Sequence, residues 1–169
     1  PNIVQDFHES LNGKAKLTGI LADVCAFANT NGGTLYIGVS ADVKHQPLGV
    51  QGAPAAVVKL QKEIASRLLP SLNVTVDAQE TRGKKVVRIL VPHGDDPPYA
   101  IDDNKIYLRQ EAETSLAVRD EIVQLTLRGN RHPEVAAPTP EPESQAAPLE
   151  ATTAAVSTVD SSLAPLDPP

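Results

Sequence analysis

The sequence predicts a single α+β domain, with a mixed or antiparallel β-sheet and about three helices, followed by a disordered tail. Three observations favour this class: two stretches with helical apolar spacing, several short β-branched strands, and a C-terminal stretch rich in proline and alanine. The 169 residues are 41% apolar, 21% charged and 3% aromatic, which suits one domain of ordinary size. We place the domain at residues 1–132 and the tail at residues 133–169.

The first half of the domain alternates helix and strand. Apolar residues in Lys14–Asn29 recur at helical spacing, and the Asn- and Gly-rich residues 29–33 favour a stop because both residue types tolerate the left-handed conformation. The β-branched and aromatic residues 34–40 then predict a strand. After a loop, residues 55–69 predict a second amphipathic helix.

The second half is mainly β-structure. Residues 72–81 and Lys84–Val91 predict a hairpin, and the second of these strands is apolar on both faces, which is typical of a central strand covered on each side. Residues 99–101 and 105–109 predict another tight hairpin. Residues 114–127 predict a last helix, with Thr114 or Ser115 as its N-cap.

The net charge of −6 is distributed unevenly. Residues 1–132 contain all fifteen Lys and Arg and fifteen of the twenty-one Asp and Glu, so the domain is neutral and the tail carries the whole excess. The tail has eight prolines, eight alanines and no basic or aromatic residue, a composition that cannot bury enough apolar surface to offset the cost of ordering. We therefore expect disorder there, with folding on a partner as the alternative.

The sequence indicates a cytoplasmic protein without a membrane partner. No apolar run approaches the ~18 residues of a membrane span, and no secretory signal opens the chain. The single cysteine, Cys25, cannot form an intramolecular disulfide, which suits a reducing compartment. Because the chain begins with Pro1 rather than Met, an N-terminal signal could have been removed.

Common phosphate- and metal-binding motifs are missing from the sequence. Gly13-Lys14 and Gly83-Lys84 lack both the upstream glycine and the following Ser or Thr of a P-loop, so we do not expect ATP binding. Asn31-Gly32-Gly33 follows a helix and precedes a strand, the reverse of the phosphate-binding arrangement. The four histidines and one cysteine lack zinc-site spacing, and no Gly-x-Ser-x-Gly elbow is present. We expect no resident cofactor.

Three carboxylates leave a metal-dependent nuclease open. Asp6 and Glu9 precede the first helix and Asp42 follows the first strand, so pairing of the N-terminal segment along that strand could gather them near one edge. Three acidic groups can hold a divalent cation such as Mg²⁺ or Mn²⁺, which activates water against a phosphodiester. The alternative, which we favour, is that all three are solvated loop residues.

Basic residues form the other candidate site. They cluster at the turn of the first hairpin and at the end of a later strand: Arg82, Lys84, Lys85, Arg88 and Arg109. Together they could contact phosphates from a neutral domain; the alternative is an ordinary solvated face of mixed charge. Stacking of single-stranded bases is not expected, because aromatic residues are few and we assign Phe7 and Phe27 to the core.

Several stretches of the sequence resemble the Schlafen AlbA_2 family. The longest is Ala-Phe-Ala-Asn-Thr-Asn-Gly-Gly-Thr-Leu-Tyr-Ile-Gly-Val at residues 26–39. The others are Asp6-Phe7-His8, Gly49 and Gly52, the strand at residues 85–91, Pro97-Pro98-Tyr99, and Ile106-Tyr107-Leu108-Arg109 with Thr114. The resemblance covers roughly residues 3–128 and none of the tail.

The resemblance implies an α+β fold described as a DNA-binding module, which often heads bacterial transcriptional regulators or helicase-like proteins. The domain was earlier labelled a divergent ATPase relative, but the missing P-loop argues against ATP hydrolysis here. Similar domains of vertebrate Schlafen proteins cleave structured RNA with two glutamates and one aspartate. The second glutamate lies in a Glu-Phe-Lys motif that Asp6-Phe7-His8 replaces here, the first would fall at Pro1, and Asp42 is the candidate for the aspartate.

These departures argue against an efficient nuclease, because the site would lack one ligand and a fixed positive charge. We therefore predict a nucleic-acid-binding module, with DNA or RNA as its partner, within a transcriptional regulator. Two alternatives stay open. One is a divalent-metal-dependent endoribonuclease that uses Asp6, Glu9 and Asp42, and the other is a dimerisation or protein-interaction module.

Overall fold

The computed structural model describes residues 1–102 and 104–129. In this part of the chain the elements follow in the order β1 (Gln5–His8), α1 (Lys14–Asn29), β2 (Gly33–Ile37), α2 (Ala53–Arg67), β3 (Leu68–Leu69), β4 (Thr75–Thr81), β5 (Lys84–Val91), β6 (Ala100–Ile101), β7 (Tyr107–Gln110), β8 (Glu113–Leu116) and α3 (Arg119–Gly129). The predicted tail and the predicted boundary near His132 lie outside the described residues.

The main sheet has four strands in the order β1-β2-β5-β4. β1 runs parallel to β2, whereas β5 is antiparallel to both of its neighbours. Two further pairs, β3 with β6 and β7 with β8, form separate two-stranded sheets. The mixed sheet and the helices confirm the predicted α+β class, and β5 is the central strand that its sequence predicted.

Helices α1 and α2 cover one face of the main sheet. Alternate strand residues such as Leu35, Val87 and Ile89 point toward these helices and are fully buried with Phe27 and Leu60. The opposite face, which we call the open face, has no helix packed extensively on it in residues 1–102 and 104–129. The prediction that β5 is covered on each side is confirmed for the helix-covered face. On the open face Val86 is also buried, at 1% exposure, whereas Leu90 is 37% exposed.

The bounds of α1 and β5 match those predicted from apolar spacing. The turn after α1 also brings two backbone segments together. Gly32 has φ +70°, and a Cβ at this position would lie 2.7 Å from the backbone nitrogen of His93. α2 begins at Ala53, two residues earlier than predicted, because Gly52 adopts the left-handed conformation and Pro54 is favourable in the first turn.

Two predictions for the last third of the domain are wrong. β6 pairs with β3 instead of with residues 105–109, to which it is joined by a single bridge between Ile101 and Lys105. β7 pairs instead with β8, which occupies the residues predicted to begin the last helix. Thr114 does not cap a helix, because its hydroxyl accepts a hydrogen bond from Arg109 within this hairpin. α3 begins only at Arg119, just after Val118, whose backbone N–H donates to the Glu121 carboxylate.

None of the helices formed by the described residues has the length and hydropathy that a bilayer span requires.

Candidate nucleic-acid interface

Several loops of the domain meet at one end of the main sheet. The chain leaves β1 at this end to enter α1, and it leaves β2 there before α2. On its way back to α2 the second loop is tied to the sheet, because Gly49 N donates to Gly38 O and Val50 N donates to Lys85 O. The turn between β4 and β5 lies at the same end. We call this region the hairpin end.

Both α1 and α2 point their N-termini toward the hairpin end. Their N-cap residues are Gly13 and Gly52, and within the described chain no side chain caps either end and no acidic residue lies in either first turn. A helix N-terminus carries roughly half a positive charge from its unpaired N–H groups. The segments before the two helices, residues 9–12 and 48–51, line a polar groove of about 560 Å³. The backbone therefore contributes positive potential at this end.

Three of the predicted phosphate-binding residues lie at the hairpin end. Arg82, Lys84 and Lys85 are exposed, and none has a carboxylate within 4.0 Å among residues 1–102 and 104–129. The Lys84 stem passes Gly49, since a Cβ on that glycine would lie 3.3 Å from the Lys84 Cβ. Lys84 and Lys85 leave the strand on opposite faces, because successive strand residues alternate. They therefore surround the edge of the sheet and do not form one flat patch.

Other lysines join this group, and the sequence reading did not single them out. Lys14 and Lys16 lie in the first turn of α1, and Lys44 lies in the loop between β2 and α2. The parallel pairing of β1 and β2 places the segments that carry these three lysines at the same end of the sheet as the β4–β5 turn. The sequence signal available was weak, because lysines at helix starts and in loops are common surface residues.

Arg88 lies on the open face and is engaged by a carboxylate. Its Nε and Nη2 donate to the two carboxylate oxygens of Asp77 at 3.1 and 2.5 Å, across the β4–β5 pair. This hydrogen bonding raises the pKa of Arg88 above its ordinary value. The guanidinium charge is locally neutralised, so Arg88 does not contribute a free cation to the predicted cluster.

Arg109 is buried, and the expectation that it contacts phosphate is not supported by its position. Its side chain is 1% exposed and donates to the Asp6 carboxylate at 2.6 Å and to the Thr114 hydroxyl at 3.0 Å. It also donates to the backbone carbonyl of Asn2 and lies 5.1 Å from the Phe27 ring centroid. A strand-end position suggested exposure, but a buried guanidinium needs several acceptors, and the N-terminal segment supplies them.

The structure does not gather the three predicted catalytic carboxylates. Asp6 points to the helix-covered side and binds Arg109, whereas Glu9 and Asp42 are exposed at the hairpin end. Asp42 accepts from the backbone N–H of Lys44 at 2.9 Å and lies 3.6 Å from His45 Nδ1. Within the described residues, no three His, Cys, Asp or Glu side chains are placed to hold a metal ion. The N-terminal segment does pair along β2 as supposed, but the strand pleat turns Asp6 away.

A buried polar cluster beside Arg109 was missed by the sequence reading. Asp23 of α1 is 6% exposed, its carboxylate lies 2.6 Å from His8 Nε2, within hydrogen-bond distance, and it lies 3.6 Å from Arg109 Nη1. Its signal was an aspartate within the apolar stretch of α1, residues 20–28. Asn29, also fully buried, binds the backbone of Tyr99 through both its amide nitrogen and its amide oxygen. These contacts position the strands; they do not form an open site.

Phe7 is not in the core, contrary to the prediction. It lies on the open face, where its ring stacks on that of Tyr36 with centroids 5.8 Å apart and an interplanar angle of 18°. Both side chains are partly exposed, whereas Phe27 is fully buried as predicted. The available signal was the alternation in β1, where Asp6 and His8 face the helices and Phe7 between them must face the other way.

Comparison with solved structures places this fold among known ones. The DIP2311 protein from Corynebacterium diphtheriae aligns with a TM-score of 0.56 and 20% identity, over 72% of this chain and 26% of that one. The N-terminal domain of a protein from Nitrosomonas europaea, described as related to the ATP-dependent DNA helicase RecG, aligns with a TM-score of 0.50 and 21% identity, over 69% of this chain and 80% of that one. The chain thus spans about a quarter of the Corynebacterium protein. No curated protein matches it.

The motifs that resembled a known family are supported by the match to a family model. The model described as Schlafen, AlbA_2 matches residues 4–118, which include β1, the buried Arg109 and the β4–β5 hairpin with Arg82, Lys84 and Lys85. This is more than half of the chain. The chain therefore belongs to the Schlafen AlbA_2 family.

Proposed function

We propose that this domain binds nucleic acid, DNA or RNA, by contacting the phosphate backbone at its hairpin end. The observation that carries the proposal is the excess of positive charge there. Among the residues that the structure describes, this end has six cations with no carboxylate within 4.0 Å, namely Lys14, Lys16, Lys44, Arg82, Lys84 and Lys85, and three carboxylates, Glu9, Asp42 and Glu80. Two uncapped helix N-termini add to the positive side of this balance.

The distribution of charge matters because the domain as a whole is neutral. Other carboxylates of the domain lie away from the hairpin end: Asp95 and Asp96 follow β5 at the opposite end of the sheet, and Glu111 and Glu113 lie on the β7–β8 hairpin. A polyanion is therefore attracted to the hairpin end in particular. Such a surface positions the domain on a backbone, and no helix of the described chain displays a cluster of base-reading side chains.

Two comparisons agree with this function. The family resemblance implies a DNA-binding module, and the Nitrosomonas europaea domain comes from a protein described as related to a DNA helicase. Within a transcriptional regulator, as the resemblance implies, this domain would hold the DNA. The structure does not support the nuclease alternative. Asp6 is paired with Arg109 on the helix-covered side, whereas Glu9 and Asp42 are exposed at the hairpin end.

Charge reversal at the hairpin end tests the proposal. We would titrate a fluorescein-labelled DNA duplex and a labelled RNA hairpin, and follow anisotropy at about 50 and about 200 mM salt. The triple variant Arg82→Glu, Lys84→Glu and Lys85→Glu should weaken binding at least about tenfold and reduce the salt dependence by about one counterion per lost contact.

The matched control changes the net charge equally elsewhere. Lys59, Lys62 and Lys105 are exposed lysines away from the hairpin end, and their combined reversal to Glu should change affinity by no more than about threefold. Equal losses in the two triple variants would show that net charge alone drives binding. Absence of binding to either nucleic acid at the lower salt would refute the proposal.

A further inference from the structure

The open face of the main sheet carries an aromatic pair in the middle of a polar surface. Phe7, Tyr36, Arg88 and Asp77 are neighbours in register across the four strands β1, β2, β5 and β4. The two rings stack on each other and remain partly exposed, and the planar guanidinium follows them in the same row. No element of the described chain packs extensively over this row.

We infer that the open face binds single-stranded nucleic acid, with an unstacked base packed against Tyr36 and Phe7. This differs from the expectation from the sequence, which assigned Phe7 to the core and therefore excluded base stacking. This inference rests on the proposed function and names its substrate class. Parallel aromatic rings and arginine planes are the groups on which proteins stack splayed bases. In a duplex the bases already stack on one another, so none is free to pack against this row.

The charges along the open face favour an anionic strand over another protein surface. Lys84 leaves β5 on the same face as Arg88, four residues and therefore about 13 Å away along the strand, where it joins the hairpin end. Asp77 is the one carboxylate on this face of the described strands, and Arg88 neutralises it. A phosphate backbone can thus run toward the hairpin end while a base occupies the aromatic pair.

The polar side chains of the face argue against a second copy as its occupant. The row on one side of the aromatic pair consists of Gln5, Thr34, Leu90 and Thr75, and the row on the other side pairs Gln79 with Val86. Of the two aliphatic side chains in these rows, Val86 is 1% exposed and Leu90 is 37% exposed, so only Leu90 offers apolar surface to a partner. Stable self-association faces are more apolar at their centre. Hydroxyl and amide groups instead suit the edges of unpaired bases.

A single tryptophan can report contact with a base directly. The chain contains no tryptophan, so Tyr36→Trp introduces a sole reporter on the open face, and Val58→Trp places a matched reporter on α2 at a position 65% exposed. Addition of an oligothymidine strand should quench the fluorescence of Tyr36→Trp saturably and leave that of Val58→Trp unchanged. A duplex of the same length should quench neither.

Affinity measurements provide the second readout. Tyr36→Leu should weaken single-strand binding about tenfold, as expected when a stacked base loses its aromatic partner, without changing duplex affinity. Unquenched Tyr36→Trp together with unchanged affinity of Tyr36→Leu, in a protein that still binds nucleic acid, would overturn the inference and leave the proposed function standing. Dimerisation by light scattering that Tyr36→Leu abolishes would also overturn it. If the wild-type protein binds no nucleic acid, the proposed function itself fails.

Discussion

The Arg109 guanidinium and the Asp6 carboxylate form an ion pair of 2.6 Å, although the two residues are 103 positions apart in the chain. The pair ties the β7–β8 hairpin to the first strand of the main sheet. Asp23 lies 3.6 Å from the same guanidinium, so two carboxylates surround a side chain that is 1% exposed. Two residues that the sequence suggested for separate functional sites thus share one structural contact.

Removal of Arg109 should therefore destabilise the fold. Arg109→Ala leaves Asp6 and Asp23 without their cation, and loss of one partner of a buried pair costs about 3–5 kcal/mol. Urea unfolding measures the change. Arg119→Ala is the matched control, because Arg119 is 89% exposed and its pair with Asp120 should contribute less than about 1 kcal/mol. Similar values for the two variants would contradict the structural role of Arg109.

Asn29 should be nearly as important as Arg109 for stability. Its amide nitrogen donates to the carbonyls of Tyr99 and Tyr107 at 2.8 and 2.9 Å, and its amide oxygen accepts from Tyr99 N at 2.7 Å. Asn29→Ala leaves these buried backbone groups without partners, which we expect to cost about 3 kcal/mol. The exposed Asn73 offers the control Asn73→Ala. A thermal unfolding midpoint that falls equally in both variants would refute this account.

Gly32 and Gly83 separate the cost of a left-handed conformation from the cost of a close approach. Both have positive φ, at +70° and +73°, but a Cβ on Gly32 would meet the backbone of residues 91–93, whereas Gly83 has nothing within 4 Å. Gly83→Ala should cost about 1 kcal/mol of unfolding free energy. Gly32→Ala should cost about 3 kcal/mol, because backbone must move as well. If denaturant titration gave the same loss of unfolding free energy for both variants, the backbone around Gly32 would have to make room for a Cβ at no cost, which would contradict this prediction.

Cys25 should be unreactive in the folded protein. Burial raises the pKa of its thiol from 9.0 to about 12, and the sulfur donates to the Tyr99 carbonyl at 3.2 Å. At about pH 8 the native protein should not react rapidly with Ellman's reagent, while the unfolded chain should react with one thiol. Rapid labelling of the native protein would contradict the burial of the thiol.

The same pKa shift predicts a pH dependence of stability. The unfolded thiol ionises near its ordinary pKa while the folded thiol keeps its proton, so the contribution of Cys25 is complete below pH 9.0 and is lost as pH rises toward about 12. Between those values the free energy of unfolding of the wild-type protein should decline more steeply than that of Cys25→Ala. Identical slopes would refute the linkage.

Local pattern was enough to predict α1, the β4–β5 hairpin and the family motifs. The apolar residues of α1 mark it as a helix, and its second half, residues 20–29, is buried on every side. A two-residue turn at Arg82-Gly83 joins the adjacent strands β4 and β5 without help from distant residues. The prediction of the second hairpin, residues 99–101 with 105–109, was wrong because its pairing does not depend on local pattern alone. β6 had two candidate partners, and its pairing with Leu68 and Leu69, rather than with residues 105–109, depends on contacts distant in sequence.

From the sequence alone one can read the α+β class, the neutral charge of the domain and the cations at the β4–β5 turn, because these depend on composition and on neighbours in the chain. Which charges remain free is decided by the tertiary structure. Arg88 meets Asp77 through the register of β4 and β5, and Arg109 meets Asp6 across two separate sheets. Phe7 lies on the open face because of the pleat of β1. Alternation along a strand shows which residues share a face, but whether that face is covered depends on what packs against it from elsewhere in the chain.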